Sequence, residues 1–180
     1  MMTHTPWKII ALTFLVGLAV SLPATGFADE GALMGEYKLK GSKEQAQKKI
    51  HTAIDELVED VNAIKRGFAK RRLRATNEAI GEIEIKISDE KIAVQYDDDP
   101  PGISPKGNKP ANWKNSEGES YRLRQQISGR TLTQKFESDE GARTNKLTVS
   151  EDGNTIDLQV TVTSDQLPRP LTYSLTYSAK

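Results

Sequence analysis

The last third of the chain, residues 119–178, alternates apolar and polar side chains with a period of two, and turn residues interrupt it at short intervals. Tight turns come at Ser128-Gly129, Asp139-Glu140-Gly141 and Asp152-Gly153. Glycine supplies the positive φ that short hairpin loops need. Strands with one apolar and one polar face, joined by hairpins, bury the apolar face against a single core. The pattern therefore predicts an antiparallel meander in which consecutive strands are neighbours.

Eight strands are clear from the alternation, and two shorter pieces extend the set to ten. The eight cover residues 35–40, 81–87, 91–96, 119–127, 130–138, 142–150, 154–163 and 170–178, and the shorter pieces cover 103–106 and 111–115. A meander with one apolar face closes into a barrel or stacks as a sandwich. No long crossover connection follows Gly118, so we favour the barrel.

A helical segment, residues 42–74, interrupts the strands after the first one. Ser42 with Gln45 forms a capping-box signature. An apolar stripe at three- and four-residue steps then predicts a helix of about six turns, through Ala46, Ile50, Ala53, Ile54, Leu57, Val58, Val61 and Ile64. We expect Gly67 to bend or end this helix, with Phe68 and Leu73 continuing the stripe on a second, shorter one.

Residues 1–28 have the features of a signal peptide. Lys8 precedes an uncharged apolar stretch, Ile9 to Leu22, and Gly26-Phe27-Ala28 places small residues where a signal peptidase reads. The stretch is shorter than the roughly twenty residues that a spanning helix needs. We therefore expect an exported, periplasmic or secreted protein with a single domain over 29–180; the alternative is a retained membrane anchor.

The composition argues against several kinds of function. The chain carries 25 basic and 25 acidic residues and no cysteine. Balanced charge disfavours nucleic acid as a partner, and the lack of thiols excludes thiol catalysis and thiolate zinc sites. His51 is the sole histidine after residue 28, and Asp97-Asp98-Asp99 runs into Pro100, as in a polar turn. We expect no catalytic residue, metal site or cofactor.

Three features together resemble a known group of proteins. They are the Gly35-Glu36-Tyr37 start, the helical insertion after the first strand, and the uninterrupted meander that follows. This arrangement resembles the calycins, most of all fatty-acid-binding proteins and secondarily lipocalins, which usually carry Gly-x-Trp where Tyr37 stands. The resemblance implies a mainly β fold, an antiparallel up-and-down meander closed into an 8–10-stranded lipocalin/calycin-like barrel with an amphipathic helical lid. It also implies a small apolar ligand inside.

Two details qualify the resemblance. The carboxylate-gripping Arg-x-Tyr that such proteins carry near the C-terminus is not reproduced, because the last strand here runs from Leu171 to Tyr177 without arginine. The chain is also similar to secreted bacterial proteins of no assigned activity that end in a Leu-Pro-x-Pro hairpin and a tyrosine-rich strand. That second similarity implies no activity.

Polar and aromatic residues on the predicted inner face are the candidate ligand contacts. A buried amide is costly unless it is hydrogen-bonded, and tyrosine offers a ring with a hydroxyl. Both suit a ligand cavity of a few hundred Å³; the alternatives are amides that bond one another and tyrosines that only fill the core. The candidates are Tyr37, Tyr96, Tyr121, Gln125, Gln134, Asn145, Tyr173 and Tyr177.

Residues 65–74 form the densest basic run of the chain. Its arginines Arg71, Arg72 and Arg74, with Phe68 and Leu73, suit a partner or an anionic membrane surface. The alternative is a helix whose C-terminal cations complement its dipole and the acidic residues upstream.

Two functions follow. The first is a monomeric, exported, non-catalytic carrier of a small apolar or amphipathic ligand. The alternative is an envelope structural or interaction protein with a filled barrel, acting through its basic helix surface.

Overall fold

The computed structural model describes residues 30–180, so the predicted signal peptide, residues 1–28, lies outside the described range. Three helices are present in that range: α1 (Glu30–Leu33), α2 (Lys43–Glu59) and α3 (Ala63–Thr76). The strands are β1 (Gly35–Leu39), β2 (Glu82–Ile87), β3 (Lys91–Tyr96), β4 (Gly102–Pro105), β5 (Ala111–Lys114), β6 (Ser120–Ser128), β7 (Thr131–Ser138), β8 (Gly141–Val149), β9 (Thr155–Thr163) and β10 (Leu171–Ala179).

All of these strands belong to one ten-stranded antiparallel sheet with the order β4-β3-β2-β1-β10-β9-β8-β7-β6-β5. The first strand pairs with the last, Tyr37 lying opposite Ala179 and Leu39 opposite Tyr177. The sheet ends, β4 and β5, approach each other without forming a ladder, so the barrel is nearly closed. The predicted up-and-down barrel, with its helical segment between the first and second strands, is confirmed.

The helical segment divides at a different place from the one predicted. α2 ends at Glu59, and Asn62 begins α3 by accepting a hydrogen bond on Oδ1 from the Ile64 amide at 3.0 Å. An asparagine cap stabilises a helix start, whereas Gly67 lies inside α3 with open space around it. The prediction that Gly67 bends or ends the helix is therefore wrong. Ile64, predicted to be part of the buried stripe, is 92% exposed.

The helix pair lies over one end of the barrel. The buried stripe of α2, which includes Ile50 and Ile54, packs against β10 and α3. An ion pair joins Arg72 to Glu140 of the β7–β8 turn. The β9–β10 loop is tied to the turn after α2 by Arg169 and Asp60, at 2.9 Å. These contacts place α2 and α3 across the end of the barrel that holds those two loops.

The other end of the barrel is closed by α1. The Tyr37 hydroxyl donates to backbone carbonyls of α1, and Leu33 is fully buried. Lys106, just after β4, forms an ion pair with Glu30 at 2.6 Å. Within residues 30–180, no helix combines the length and apolar character needed to cross a membrane.

Candidate functional site

Side chains fill the interior of the barrel. Leu132, Leu147 and Leu158 lie side by side on three neighbouring strands, and each is 0% exposed. On β3, which faces β7 and β8, Ile92 is 1% and Val94 is 0% exposed. A cavity large enough for a water molecule leaves its lining residues with surface that a water-sized sphere can touch, even when the cavity is sealed. Residues with 0% exposure therefore do not line such a cavity. The choice that the sequence left open, hollow or filled, is answered here by a filled barrel.

Gln125 and Gln134 lie inside this packed interior and satisfy each other. Gln134 Nε2 donates to Gln125 Oε1 at 2.7 Å. Gln125 Nε2 in turn lies 3.0 Å from the Ile92 carbonyl, 3.0 Å from the Gly102 carbonyl and 3.1 Å from Ser104 Oγ. Gly102 and Ser104 belong to β4, one of the two end strands of the sheet. These bonds therefore connect β4 to β6 across the gap where β4 and β5 form no ladder.

The hydrogen bonds continue across the barrel towards β8. The Tyr96 hydroxyl donates to Gln134 Oε1. Asn145 Nδ2 donates to the Tyr96 oxygen at 3.0 Å, and Arg143 Nε donates to Asn145 Oδ1 at 3.0 Å. Each amide thus has partners for its carbonyl and its NH₂, which removes most of the cost of burying it.

Arg143 joins this network to the C-terminal end of α3. Its Nη1 donates to the Thr76 carbonyl and its Nη2 to the Tyr173 hydroxyl, both at 3.4 Å. The Tyr173 hydroxyl donates to Asn77 Oδ1 at 3.2 Å. Arg143 is partly buried, and no carboxylate of residues 30–180 lies within ion-pair distance of it.

Sequence reasoning did not select Arg143. The signal was present, because Arg143 is two residues before Asn145 and therefore shares its inward face in a period-two strand. The amide of Asn145 is the first inward polar residue of β8 among the sequence-based candidates. The arginine therefore went unnoticed as an inward cation.

The charge of Arg143 acts on three tyrosines whose pKa is raised, namely Tyr96, Tyr121 and Tyr177. Burial raises the pKa of Tyr96 and of Tyr177 well above the usual range for tyrosine. Burial, with the neighbouring Glu119 carboxylate, raises the pKa of Tyr121 to about 12. The positive charge of Arg143 acts in the opposite, lowering direction on all three. The neutral Tyr96 hydroxyl and the buried Asn145 amide therefore lie next to the cation of Arg143.

The predicted ligand residues do not form a single pocket. Five of them belong to the network just described, namely Tyr96, Gln125, Gln134, Asn145 and Tyr173. Tyr37 and Tyr177 are buried elsewhere, and the Tyr177 hydroxyl donates to the Ile80 carbonyl at 3.1 Å. Tyr121 is only partly buried, packs near Trp113 with ring centroids 5.7 Å apart, and donates to Glu119 at 2.7 Å. Their role as ligand contacts stays a prediction.

Two of the three arginines predicted to meet a partner are paired within the chain. Arg72 pairs with Glu140, and Arg74 Nη2 lies 2.9 Å from both carboxylate oxygens of Asp55. Asp55 also pairs with Lys70 at 3.0 Å, so it binds α3 to α2. Arg71 is exposed and makes no ion pair with any residue from 30 to 180.

The buried interior of residues 30–180 contains no carboxylate and no imidazole. The buried polar residues among them are Asn77, Ser104, Gln125, Gln134 and Asn145, none of which has a carboxylate or an imidazole. No group of three or more histidine, aspartate or glutamate side chains between residues 30 and 180 is placed to hold a metal ion. The arrangement can bind a polar group through its amides, its hydroxyls and the Arg143 guanidinium.

Neither a family model nor a curated protein sequence matches this chain. Solved structures do match. The REP1-NXSQ fatty acid transporter is 13% identical, with a TM-score of 0.52 over 83% of this chain and 97% of its own. A Schistosoma mansoni fatty acid binding protein in complex with arachidonic acid is 15% identical, with a TM-score of 0.50 over 84% and 98%.

A third similar structure comes from another kind of protein. A secretary abundant heat soluble (SAHS) protein from Ramazzottius varieornatus is 11% identical, with a TM-score of 0.52 over 83% of this chain and 96% of its own. At such low identity the likeness carries the fold alone. The calycin resemblance read from the sequence is confirmed at that level, while the similarity to secreted bacterial proteins stays a prediction. The chain has the barrel fold of the fatty-acid-binding proteins.

Proposed function

We propose that this protein is a non-catalytic binding protein for a small amphipathic anion of the fatty-acid type. The head group is held by Arg143, and the apolar tail lies in the barrel beneath α2 and α3. The observation that carries the proposal is the cation itself, an inward, partly buried guanidinium without a carboxylate partner in residues 30–180.

The contacts of Arg143 favour an anion over a neutral ligand. Burying a charge is costly unless it is paired, and here its partners are the neutral oxygens of Thr76, Asn145 and Tyr173. Two of those bonds are 3.4 Å long, which is longer than the roughly 2.7–3.2 Å of a normal N–H···O bond and therefore weak. A carboxylate accepts paired N–H bonds from guanidinium at shorter distances and with roughly twice the strength. An incoming carboxylate therefore replaces weak neutral contacts with an ion pair.

The apolar part of the ligand needs room that the closed barrel does not contain. The core around the network is leucine, isoleucine and valine, which suits a hydrocarbon chain. Since the inner side chains are fully packed, uptake requires α2 and α3 to move away and the interior to expand. The likeness to fatty acid transporters and binding proteins, among them the S. mansoni protein, supports this proposal through the fold they share.

The test is a titration with palmitate labelled with ¹³C at its carboxyl carbon, followed by NMR. We expect a carboxyl resonance shifted by the bound guanidinium, and Arg143→Gln to weaken binding by about 10- to 100-fold, the effect of one charge-assisted pair. Arg122→Gln, on the outer face of β6, is the matched control and should bind as wild type does. Absence of binding, or equal affinity in Arg143→Gln, would contradict the proposal.

The filled interior favours a second candidate, a structural or interaction protein that takes up nothing. The fully buried inner leucines are its support. This candidate predicts that the carboxyl resonance of palmitate is the same with and without the protein. The titration therefore separates the two functions.

We also propose that the protein acts as a monomer outside the cytoplasm. The support is the basic, apolar and small-residue succession in residues 1–28. N-terminal sequencing of protein from the periplasm or medium should begin near Asp29; a chain that stays whole and membrane-bound would indicate the anchor instead. Sedimentation equilibrium of the purified protein tests whether its mass in solution is that of a monomer.

A further inference from the structure

Three aromatic side chains meet at the end of the barrel that holds the β7–β8 turn. Trp113 on β5 lies opposite Tyr121 on β6, and both share the inward face of Leu123. Phe136 on β7 lies opposite Leu123. The Trp113 ring centroid is 5.7 Å from that of Tyr121 and 5.1 Å from that of Phe136, the second pair edge to face. Trp113, Tyr121 and Phe136 are called the aromatic cluster below.

Hydrogen bonds fix two of these rings while leaving them open to solvent. Trp113 Nε1 donates to the Pro100 carbonyl at 3.1 Å. The Tyr121 hydroxyl donates to a carboxylate oxygen of Glu119 at 2.7 Å. Trp113 and Tyr121 are partly exposed, whereas Phe136 is 6% exposed. A ligand therefore meets an aromatic surface that is already ordered, which lowers the cost of binding.

Arg143 adds a positive charge to the same end of the barrel. It lies directly opposite Phe136 in the pairing of β7 with β8, and residues opposite each other on one face have Cβ atoms about 4.5–5.5 Å apart. Its charge also acts on Tyr121, lowering a pKa that burial raises. The guanidinium donates only to neutral oxygens of residues 30–180. Ordered aromatic rings and a cation without a carboxylate partner thus lie together.

We propose that the aromatic cluster and Arg143 bind a planar aromatic carboxylate of about the size of 2-naphthoate. The carboxylate of the ligand pairs with the Arg143 guanidinium, and the ring of the ligand packs on Trp113 and Phe136. Aromatic pairs prefer offset or edge-to-face contacts, which stabilise them beyond the area that they bury. The fixed rings therefore favour a flat aromatic acid over a saturated acid of the same size.

Charge restricts this ligand to one anionic group. Glu119, bonded to the Tyr121 hydroxyl, places a negative charge beyond the aromatic cluster on the side away from Arg143. A second carboxylate at the far end of the ring would meet that like charge, which lowers affinity. The site therefore selects a monocarboxylate.

This inference rests on the anion contact at Arg143 from the proposed function, but it needs no hydrocarbon chain inside the barrel. The inner leucines are fully packed. Trp113, Tyr121 and Arg143 instead keep surface open to solvent at the barrel end. The aromatic acid therefore binds with α2 and α3 in place.

The test is calorimetric titration of the protein, in the form its own host produces, with 2-naphthoate. Arg143→Gln should weaken binding by about tenfold or more, because an ion pair is lost. Trp113→Leu should weaken it by about two- to tenfold, because a ring contact is lost. The matched controls Arg122→Gln and Phe68→Leu change an exposed cation on β6 and an exposed ring on α3, and both should bind as wild type does.

Three related compounds separate the contributions of ring and charge. Decahydro-2-naphthoate keeps the carboxylate and removes the aromatic ring, and 2-naphthamide keeps the ring and removes the charge. Naphthalene-2,6-dicarboxylate adds a second charge at the far end. Each should bind about threefold or more weakly than 2-naphthoate.

An NMR signal locates the ligand without any substitution. Trp7 and Trp113 are the tryptophans of the chain, so a chain that begins near Asp29 gives one indole N–H resonance. That resonance should shift when 2-naphthoate is added. If Trp113→Leu fails to fold, as its circular dichroism would reveal, this shift in wild type decides the question.

The inference is overturned if wild type does not bind 2-naphthoate, if the saturated acid or the amide binds equally well, if Arg143→Gln binds as wild type does, or if the Trp113 resonance does not move. Binding of 2-naphthoate without binding of palmitate would contradict chain uptake in the proposed function and leave this inference standing. Binding of palmitate without binding of 2-naphthoate would do the reverse.

Discussion

Replacing Gln134 with leucine tests whether the interior is dry and its polar network complete. Gln134 donates to Gln125 Oε1 at 2.7 Å and accepts from the Tyr96 hydroxyl. Gln134→Leu keeps a similar volume and removes both bonds. The Gln125 carbonyl oxygen then has no donor, and the Tyr96 hydroxyl has no acceptor.

The magnitude follows from counting the groups left unpaired. A buried polar group that loses its partner costs about 1–3 kcal/mol, so two such groups cost about 2–6 kcal/mol. The leucine returns about 1–2 kcal/mol by burying apolar surface. We expect Gln134→Leu to lower the free energy of unfolding by about 1–4 kcal/mol.

Urea unfolding, monitored by the fluorescence of Trp113 and by circular dichroism, measures the difference. The matched control is Gln126→Leu, an exposed glutamine on the neighbouring strand, for which a change within about 0.5 kcal/mol is expected. If Gln134→Leu is as stable as wild type or more so, water satisfies the orphaned groups. The account of a packed, dry interior would then be refuted.

Three further changes have defined outcomes. Gly141→Ala should lower the free energy of unfolding in urea by about 3 kcal/mol or more, because the added Cβ would clash with the Thr163 carbonyl oxygen. Gly67→Ala should instead raise it by about 0.5–1 kcal/mol, because that position on α3 has open space around it. Burial tends to raise the pKa of Asp55, but its ion pairs with α3 outweigh this and lower it. That stabilisation should be complete above the ordinary pKa and fade as pH falls through the lowered one. The protection of the α3 amides against hydrogen exchange, relative to their intrinsic exchange rate, should therefore fall below about pH 4 in wild type but not in Asp55→Asn. Tyr177→Phe should lower the free energy of unfolding by about 1 kcal/mol, because the half-buried Ile80 carbonyl loses its donor; an unchanged thermal midpoint would contradict this.

The barrel is readable from the sequence because a strand's side chains alternate strictly. Every pair of hairpin neighbours from β6 to β10 follows from the alternation and the turn residues, as does the contact between Gln125 and Gln134. A shift of the strand pairing by one residue would turn each apolar row towards solvent. The division of the helix was missed because an apolar period continues through Ile64, while the cap at Asn62 decides where α3 starts.

The rest of the candidate site depends on contacts across the barrel. Tyr96 meets Gln134 and Asn145 because the sheet curls until β3 faces β7 and β8, and no local pattern records that approach. The position of Arg143 beneath α3 depends in the same way on where the helix pair settles. Whether the barrel is hollow or filled depends on the summed volume of its inner side chains. The alternation of apolar and polar residues does not report that volume, so it is compatible with both.

The central claim is that the barrel takes up an amphipathic anion at Arg143. Native mass spectrometry of the protein purified gently from its own host tests this most directly. The account predicts a co-purifying amphipathic acid that is released on denaturation and is absent from Arg143→Gln. A bare protein mass for wild type, together with no uptake of a fluorescent fatty acid, would contradict the claim and leave the filled barrel acting through its surface.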